Sequence, residues 1–132
     1  KIYKVVIKNE LKCIFVIRIC KYKKFKAIRI IDYIGCQKNF KLGKNLFIFL
    51  LKQNSAEFID LYNFGINIRH IHGSGLENIK KYSKKKIIIP NYFEPLERKN
   101  IELPLAQKFR SDKFSLTTFY KGDSDLDRPN IL

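Results

Sequence analysis

The chain contains 132 residues, of which 45% are hydrophobic and 14% aromatic, so it can form a packed core and is not intrinsically disordered. Its length fits one domain or part of one, and its longest apolar runs, such as residues 46–51, are far below the roughly 20 residues that cross a bilayer. We therefore expect no transmembrane segment, and no signal-peptide pattern is visible. A strand-like pattern begins at Lys1 rather than after a Met, and we expect that an N-terminal part of the fold is missing.

The chain is strongly basic, with 27 Lys and Arg against 12 Asp and Glu and a formal net charge of +15. Such a charge attracts anionic ligands or an acidic membrane surface. Nucleic acid is the less expected partner, because 21 of the basic residues are Lys and only 6 are Arg. The arginine fork is the better group for bidentate contacts to phosphate and guanine.

The three cysteines, Cys13, Cys20 and Cys36, are odd in number and lack C-x-x-C spacing. Cys13 and Cys20 fall in an apolar strand pattern, where a free thiol behaves as a small core residue. The sequence therefore predicts neither a disulfide framework nor a zinc site, and a reducing, cytoplasmic setting.

The first third of the chain predicts three antiparallel strands. Residues 1–8 and 13–20 are rich in β-branched and aromatic side chains and flank a turn at Asn9-Glu10, which is typical of a β-hairpin. A lysine-rich turn at residues 21–26 leads into a third strand over residues 27–34, which ends at Gly35.

The pattern then changes to helical spacing. It predicts a buried helix over residues 38–53, a strand over 57–62, a short helix over 66–72 and a strand over 80–89. We expect an α/β (α+β) fold with a mixed, mostly antiparallel sheet flanked by helices. The core should cover residues 1–90, with residues 91–132 as a C-terminal extension packed on it.

This order resembles the C-terminal two-thirds of a GCN5-related N-acetyltransferase (GNAT). The resemblance covers about residues 1–130 and rests on short segments at the joints between elements. They are Arg29-Ile-Ile-Asp-Tyr-Ile-Gly35, Asp60-Leu-Tyr-Asn-Phe-Gly65, Gly75-Leu76, Ile89-Pro-Asn-Tyr-Phe-Glu-Pro-Leu96 and the tail from Phe119 to Asn130. The last two are similar to ends of GNAT-like proteins from bacterial surface-polysaccharide gene clusters.

The resemblance implies acetyl-CoA as a co-substrate. GNAT enzymes hold its pyrophosphate on backbone amides of a Gln/Arg-x-x-Gly-x-Gly/Ala turn, because free N–H groups at a helix start bind anions. The corresponding segment here, residues 35–43, lacks that glycine spacing. We expect cofactor contacts from six residues: Ile34, Gly35, Gln37, Lys38, Asn39 and Asn63.

In the same interpretation, the strands 27–34 and 57–62 diverge and hold the thioester between them. Asp32 is the candidate base, because a carboxylate deprived of water on an apolar strand accepts a proton more readily. The alternative is that Asp32 faces solvent or pairs with Arg29. Tyr62, at the end of the second strand, is the candidate acid for the leaving thiolate, and the alternative is that it only packs.

The acidic tail is the candidate substrate-binding segment, through Asp123, Asp125, Asp127 and Arg128. These side chains can hydrogen-bond to sugar hydroxyls, or the tail can fold back on the lysine-rich body. Three carboxylates spaced by two resemble the start of an EF-hand loop, but Arg128 occupies the position of its glycine, so we expect no metal.

The leading hypothesis is thus a cytoplasmic acyltransferase that acts on an amino or hydroxyl group of a sugar or sugar-nucleotide in surface-polysaccharide biosynthesis. Two alternatives stay open. One is a non-catalytic basic module that binds nucleic acid or an anionic surface, and the other is a catalytically inactive GNAT-like domain.

Overall fold

The computed structural model describes residues 1–79, 88–89 and 118–123. Four strands form one sheet in the order β1-β2-β3-β4, and two short strands form a separate antiparallel pair. The strands are β1 (Ile2–Ile7), β2 (Glu10–Tyr22), β3 (Phe25–Gly35), β4 (Phe58–Leu61), β5 (Asn63–Phe64) and β6 (Phe119–Tyr120). The pairs β1/β2 and β2/β3 are antiparallel, whereas β3/β4 is parallel. The predicted class, a mixed and mostly antiparallel sheet with helices, is confirmed.

Two helices occupy most of the chain between β3 and β4. A 3-10 helix (Gln37–Gly43) runs directly into helix α1 (Lys44–Asn54), and helix α2 (Ile68–Gly73) follows β5. Gly43 stands at the junction because a Cβ there would lie 2.6 Å from Phe47 Cζ and 2.7 Å from Phe15 Cζ. The single helix predicted over residues 38–53 is therefore two helices, joined where glycine allows close packing against the sheet.

One face of the sheet forms the hydrophobic core under these helices. Phe15 is fully buried and its ring lies 5.0 to 5.3 Å from those of Tyr33, Phe40 and Phe47, at tilted or edge-to-face angles. Such aromatic contacts add to the gain from burying apolar area. Cys13 also lies in this core, so its predicted role as a small core residue is confirmed.

The opposite face, which we call the second face, carries polar side chains. Cross-strand partners share a face, and the register pairs Val16 with Asp32, Arg18 with Arg29, and Arg29 with Asp60. β3 is buried on both faces over residues 27–31, which explains its nearly continuous apolar sequence.

Several predictions fall on residues that the structure does not describe. Of the strand predicted over 80–89 only residues 88–89 are described, and of the extension over 91–132 only 118–123. Within the described ranges, no helix has both the length and the apolarity needed to cross a membrane.

Candidate functional site

The parallel strands β3 and β4 separate at one end. They pair over four residues, from Ala27 with Phe58 to Ile30 with Leu61. β3 then continues to Gly35, whereas the chain after Leu61 leaves the sheet and pairs with β6 instead. Beyond Ile30 and Leu61 the two strands are therefore no longer paired with each other, and we call the region between the end of β3 and Tyr62 the opening.

β3 is irregular at the same position. Its pairing with β2 shifts between Val16, opposite Asp32, and Ile17, opposite Ile30, so that Ile31 is an extra residue. Such a β-bulge increases local twist and changes the direction of the side chains that follow. Asp32 thereby lies on the second face, while Tyr33 lies in the aromatic core.

The chain segment 119–122 lies against both sides of this opening. Tyr120 pairs with Asn63, and its ring centroid is 6.3 Å from that of Tyr33. Gly122 lies so close to β3 that a Cβ there would be 3.0 Å from the Ile31 carbonyl oxygen. This close approach explains why position 122 is a glycine. Residues 119–122 therefore narrow the opening on the side of the sheet that faces the aromatic core.

A buried ion pair stands beside the opening on the second face. Arg29 is 1% exposed, and its Nε donates to both carboxylate oxygens of Asp60 at 2.8 and 3.1 Å. Its Nη2 donates to Asp60 Oδ2 at 2.5 Å. Burial lowers the pKa of the Arg29 guanidinium, but the hydrogen bonds and charge of Asp60 outweigh this and raise it. Arg29 therefore pairs with Asp60 rather than with Asp32.

Tyr62 covers this ion pair, with its ring centroid 5.3 Å from the Arg29 guanidinium carbon. Burial raises the pKa of the Tyr62 hydroxyl, and the charge of Asp60 raises it further. Tyr62 therefore stays protonated at neutral pH, as the donor of a proton must be.

Asp32 is half-buried, and its Oδ1 accepts a hydrogen bond from the backbone N–H of Tyr33 at 2.6 Å. This bond fixes the carboxylate at the bulge. Because Tyr62 lies over Arg29 and Asp32 is opposite Val16, the two predicted catalytic residues share the second face.

The predicted phosphate-binding turn forms a 3-10 helix. The side chains of Gln37 and Asn39 attach this helix to neighbouring segments by hydrogen bonds to their backbone. Gln37 Nε2 donates to Gly65 O, and Gln37 Oε1 accepts from Asn67 N, both at 3.2 Å. Asn39 Nδ2 donates to Lys12 O at 3.1 Å. At the start of this helix, Asn39 N donates to Cys36 O, so the N–H groups of Gln37 and Lys38 precede its first internal hydrogen bond.

Three exposed lysines follow one side of this segment: Lys38, Lys41 and Lys44. Side chains three residues apart lie above one another in a 3-10 helix, so these lysines form a row, which we call the lysine row. Its middle member packs next to α2, where a Cβ on Gly73 would lie 3.0 Å from Lys41 Cβ. The row makes this end of the molecule attractive to phosphates.

The other predicted cofactor residues lie near the opening. Ile34 is 55% exposed on β3, and Asn63 is exposed on β5. Gly35 has φ +149, and a Cβ there would lie 2.8 Å from Cys13 Cβ, so only glycine fits.

A shallow depression of about 360 Å³ lies along β2 and is lined by Lys1, residues 16–19 and Ile31. Arg18 and Lys1 supply its positive charge and Ile31 and Val16 part of its apolar surface.

Of the predicted substrate residues, Asp123 is exposed, and its Oδ2 accepts from Tyr120 N at 2.8 Å. It stabilises the turn after β6. Asp125, Asp127 and Arg128 lie outside the described residues.

Asp60 and Tyr120 also belong to this region, although the sequence did not predict a role for either. The signal for Asp60 was a lone carboxylate in an apolar strand, which indicates a buried partner. Tyr120 gave no local signal, since its partners Asn63 and Tyr33 are far away in sequence.

Within the described ranges, no group of three or more His, Cys, Asp or Glu side chains is placed to hold a metal ion. Comparison with protein-family models, with curated proteins and with solved structures finds no match to this chain.

Proposed function

We propose that this protein is an acyltransferase that moves an acetyl group from acetyl-CoA to an amino or hydroxyl group of a sugar or sugar-nucleotide. The observation that carries the proposal is the separation of β3 from β4 beyond Ile30 and Leu61. Where two parallel strands separate, backbone groups of their facing edges point into the opening instead of pairing with each other. The amide-bearing pantetheine arm of coenzyme A can pair with such an edge as an added strand does.

The chemistry assigned to the second face is general acid–base catalysis. The acceptor nitrogen or oxygen attacks the thioester carbon, and Asp32 takes the proton that the acceptor loses. The carbon–sulfur bond breaks, and the thiolate takes a proton from the Tyr62 hydroxyl. The Tyr62 hydroxyl carries this proton at neutral pH.

The phosphates of the cofactor are assigned to the lysine row. Lys38, Lys41 and Lys44 follow β3 in the chain, as the phosphate-binding turn of the resembled family does. Lysine binds phosphate as a point charge and needs no fixed fork geometry. The sugar acceptor and the place in surface-polysaccharide biosynthesis are supported by the resemblance of the tail alone.

Titration calorimetry with acetyl-CoA tests the binding step. We expect saturable binding that Lys38→Glu/Lys41→Glu weakens by more than about tenfold, because two attractive charges become repulsive. The matched control is Lys4→Glu/Lys8→Glu, which makes the same change of net charge on β1 and the turn after it. Absence of binding by the folded wild-type chain would contradict the proposal.

Release of free thiol over a panel of amino sugars and sugar-nucleotides tests the transfer step. We expect Asp32→Asn to lower kcat by about 10²- to 10⁴-fold while acetyl-CoA binding stays within about twofold, as for the loss of a general base. An unchanged kcat would remove Asp32 from this role.

A catalytically inactive domain of the same fold is the second candidate. The position of residues 119–122 against the opening and the engaged side chains of Gln37 and Asn39 favour it. Acetyl-CoA binding without turnover over the whole panel would support it. Salt-steep binding to arbitrary DNA in place of acetyl-CoA would support a basic nucleic-acid-binding module.

A further inference from the structure

The tip of the β2–β3 hairpin combines exposed aromatic rings with lysines. It has the sequence Lys-Tyr-Lys-Lys-Phe-Lys over residues 21–26, which we call the hairpin tip. Tyr22 and Phe25 are cross-strand partners and therefore lie side by side on one face, 39% and 38% exposed. The ammonium groups of Lys23 and Lys24 each lie 5.6 Å from the centroid of the neighbouring ring, those of Tyr22 and Phe25 respectively.

The charged side chains of the hairpin tip itself are all positive. No Asp or Glu occurs between Glu10 and Asp32 in the sequence. Lys26 turns back toward the body, where its Nζ donates to Asn54 O at 3.2 Å and its carbonyl accepts from Glu57 N. Lys21, Lys23 and Lys24 are exposed around the two rings. Apolar rings and ammonium groups thus occupy one end of the molecule.

We propose that the hairpin tip docks the protein on an anionic lipid surface. Aromatic rings are favourable at the level of lipid headgroups, and adjacent lysines bind the headgroup phosphates while their stems stay in apolar surroundings. The end of a two-stranded hairpin can contact a flat bilayer surface directly, so this mode of binding requires no groove in the protein. The proposal is independent of acyl transfer.

A lipid surface fits the hairpin tip better than single-stranded nucleic acid does. Bases stack on open ring faces, whereas each ring of the hairpin tip has a lysine ammonium over it. The headgroup region of a bilayer offers phosphates and apolar chains at neighbouring depths, which matches ammonium groups next to rings.

Vesicle sedimentation tests the charge requirement. We expect binding to vesicles of phosphatidylcholine mixed with phosphatidylglycerol and none to phosphatidylcholine alone. Lys23→Glu/Lys24→Glu should lower partitioning by more than about tenfold, whereas Lys4→Glu/Lys8→Glu should keep most of it. Equal losses in the two variants would attribute binding to the net charge of +15 and overturn the assignment to the hairpin tip.

A single tryptophan tests insertion, because the chain has none. The emission of Phe25→Trp should shift to the blue on anionic vesicles and be quenched by brominated acyl chains. Tyr22→Ser/Phe25→Ser should lose binding, whereas Ile48→Ser/Phe49→Ser, a pair of exposed apolar residues on α1, should keep it. An unshifted emission on anionic vesicles would overturn the proposal. So would a wild type that binds single-stranded DNA but no vesicles, if Tyr22→Ser/Phe25→Ser loses that DNA binding.

Discussion

At the scale of single residues, the ion pair of Arg29 and Asp60 is the most constrained feature of the second face. Two side chains with complementary charges stand in register on adjacent strands and are 1% and 6% exposed. Desolvation of both charges cancels much of their attraction, so we expect the pair to add little net stability compared with two apolar side chains. Replacing only one of the two residues is expected to destabilise the fold strongly, because it leaves the other charge buried without a partner.

We therefore expect Asp60→Leu to lower the free energy of unfolding by about 3 to 5 kcal/mol, as measured by urea denaturation. The matched variant Arg29→Met/Asp60→Leu removes both charges and should recover most of that loss. Equal stability of Asp60→Leu and the wild type would contradict the assigned pairing.

Two buried tyrosines, Tyr33 and Tyr120, and the half-buried Tyr62 make stability depend on alkaline pH. Burial raises the pKa of Tyr33, Tyr62 and Tyr120 above the usual value of 10.0. The folded chain keeps these protons at pH values where the unfolded chain has released them, so their contribution is complete below pH 10 and is lost as the pH rises further. Urea unfolding should show a fall in stability above about pH 10 that is shallower in Tyr62→Phe. The same slope in both proteins would contradict the environment described for Tyr62.

At the scale of elements, the junction of the 3-10 helix with α1 depends on glycine. The Cβ of Gly43→Ala would meet the rings of Phe47 and Phe15 inside the aromatic core. We expect a loss of about 1 to 3 kcal/mol in the free energy of unfolding, because a close-packed core does not admit an added methyl group. The neighbouring exposed change Lys44→Ala should stay within about 0.5 kcal/mol of the wild type. Comparable stability of the two variants would show that the junction is looser than described.

The sequence predicts those elements whose signals are local. The alternation of residues 13–20 and the helical spacing up to Gln53 are sufficient for β2 and α1. The β5/β6 pair was not predicted, since each strand has two residues and no period can be recognised over two residues. The bulge at Ile31 likewise depends on the partner strand β2. The sequence predicts that Asp32 and Tyr62 lie near the ends of their strands. That both side chains lie on the same face of the sheet depends on the strand register, which the sequence alone does not give.

At the scale of the whole molecule, the chain carries a formal net charge of +15. The hairpin tip and the lysine row carry several of the described lysines at separate sites of the chain. The remaining exposed apolar side chains include Ile2, Val6, Leu11 and Ile34 near the other end of the hairpins. A basic composition alone predicts an anionic partner. The described part of the fold adds two places where exposed lysines lie together, the hairpin tip and the lysine row.

We propose that the opening between β3 and Tyr62 holds a thioester-bearing arm. Amide chemical-shift mapping of the 15.7 kDa chain with acetyl-CoA measures this directly. We expect saturable shifts for residues 31–39, Tyr62 and Asn63, with smaller shifts for the hairpin tip. Shifts confined to exposed lysine segments, or absent from residues 31–35 at saturation, would contradict it.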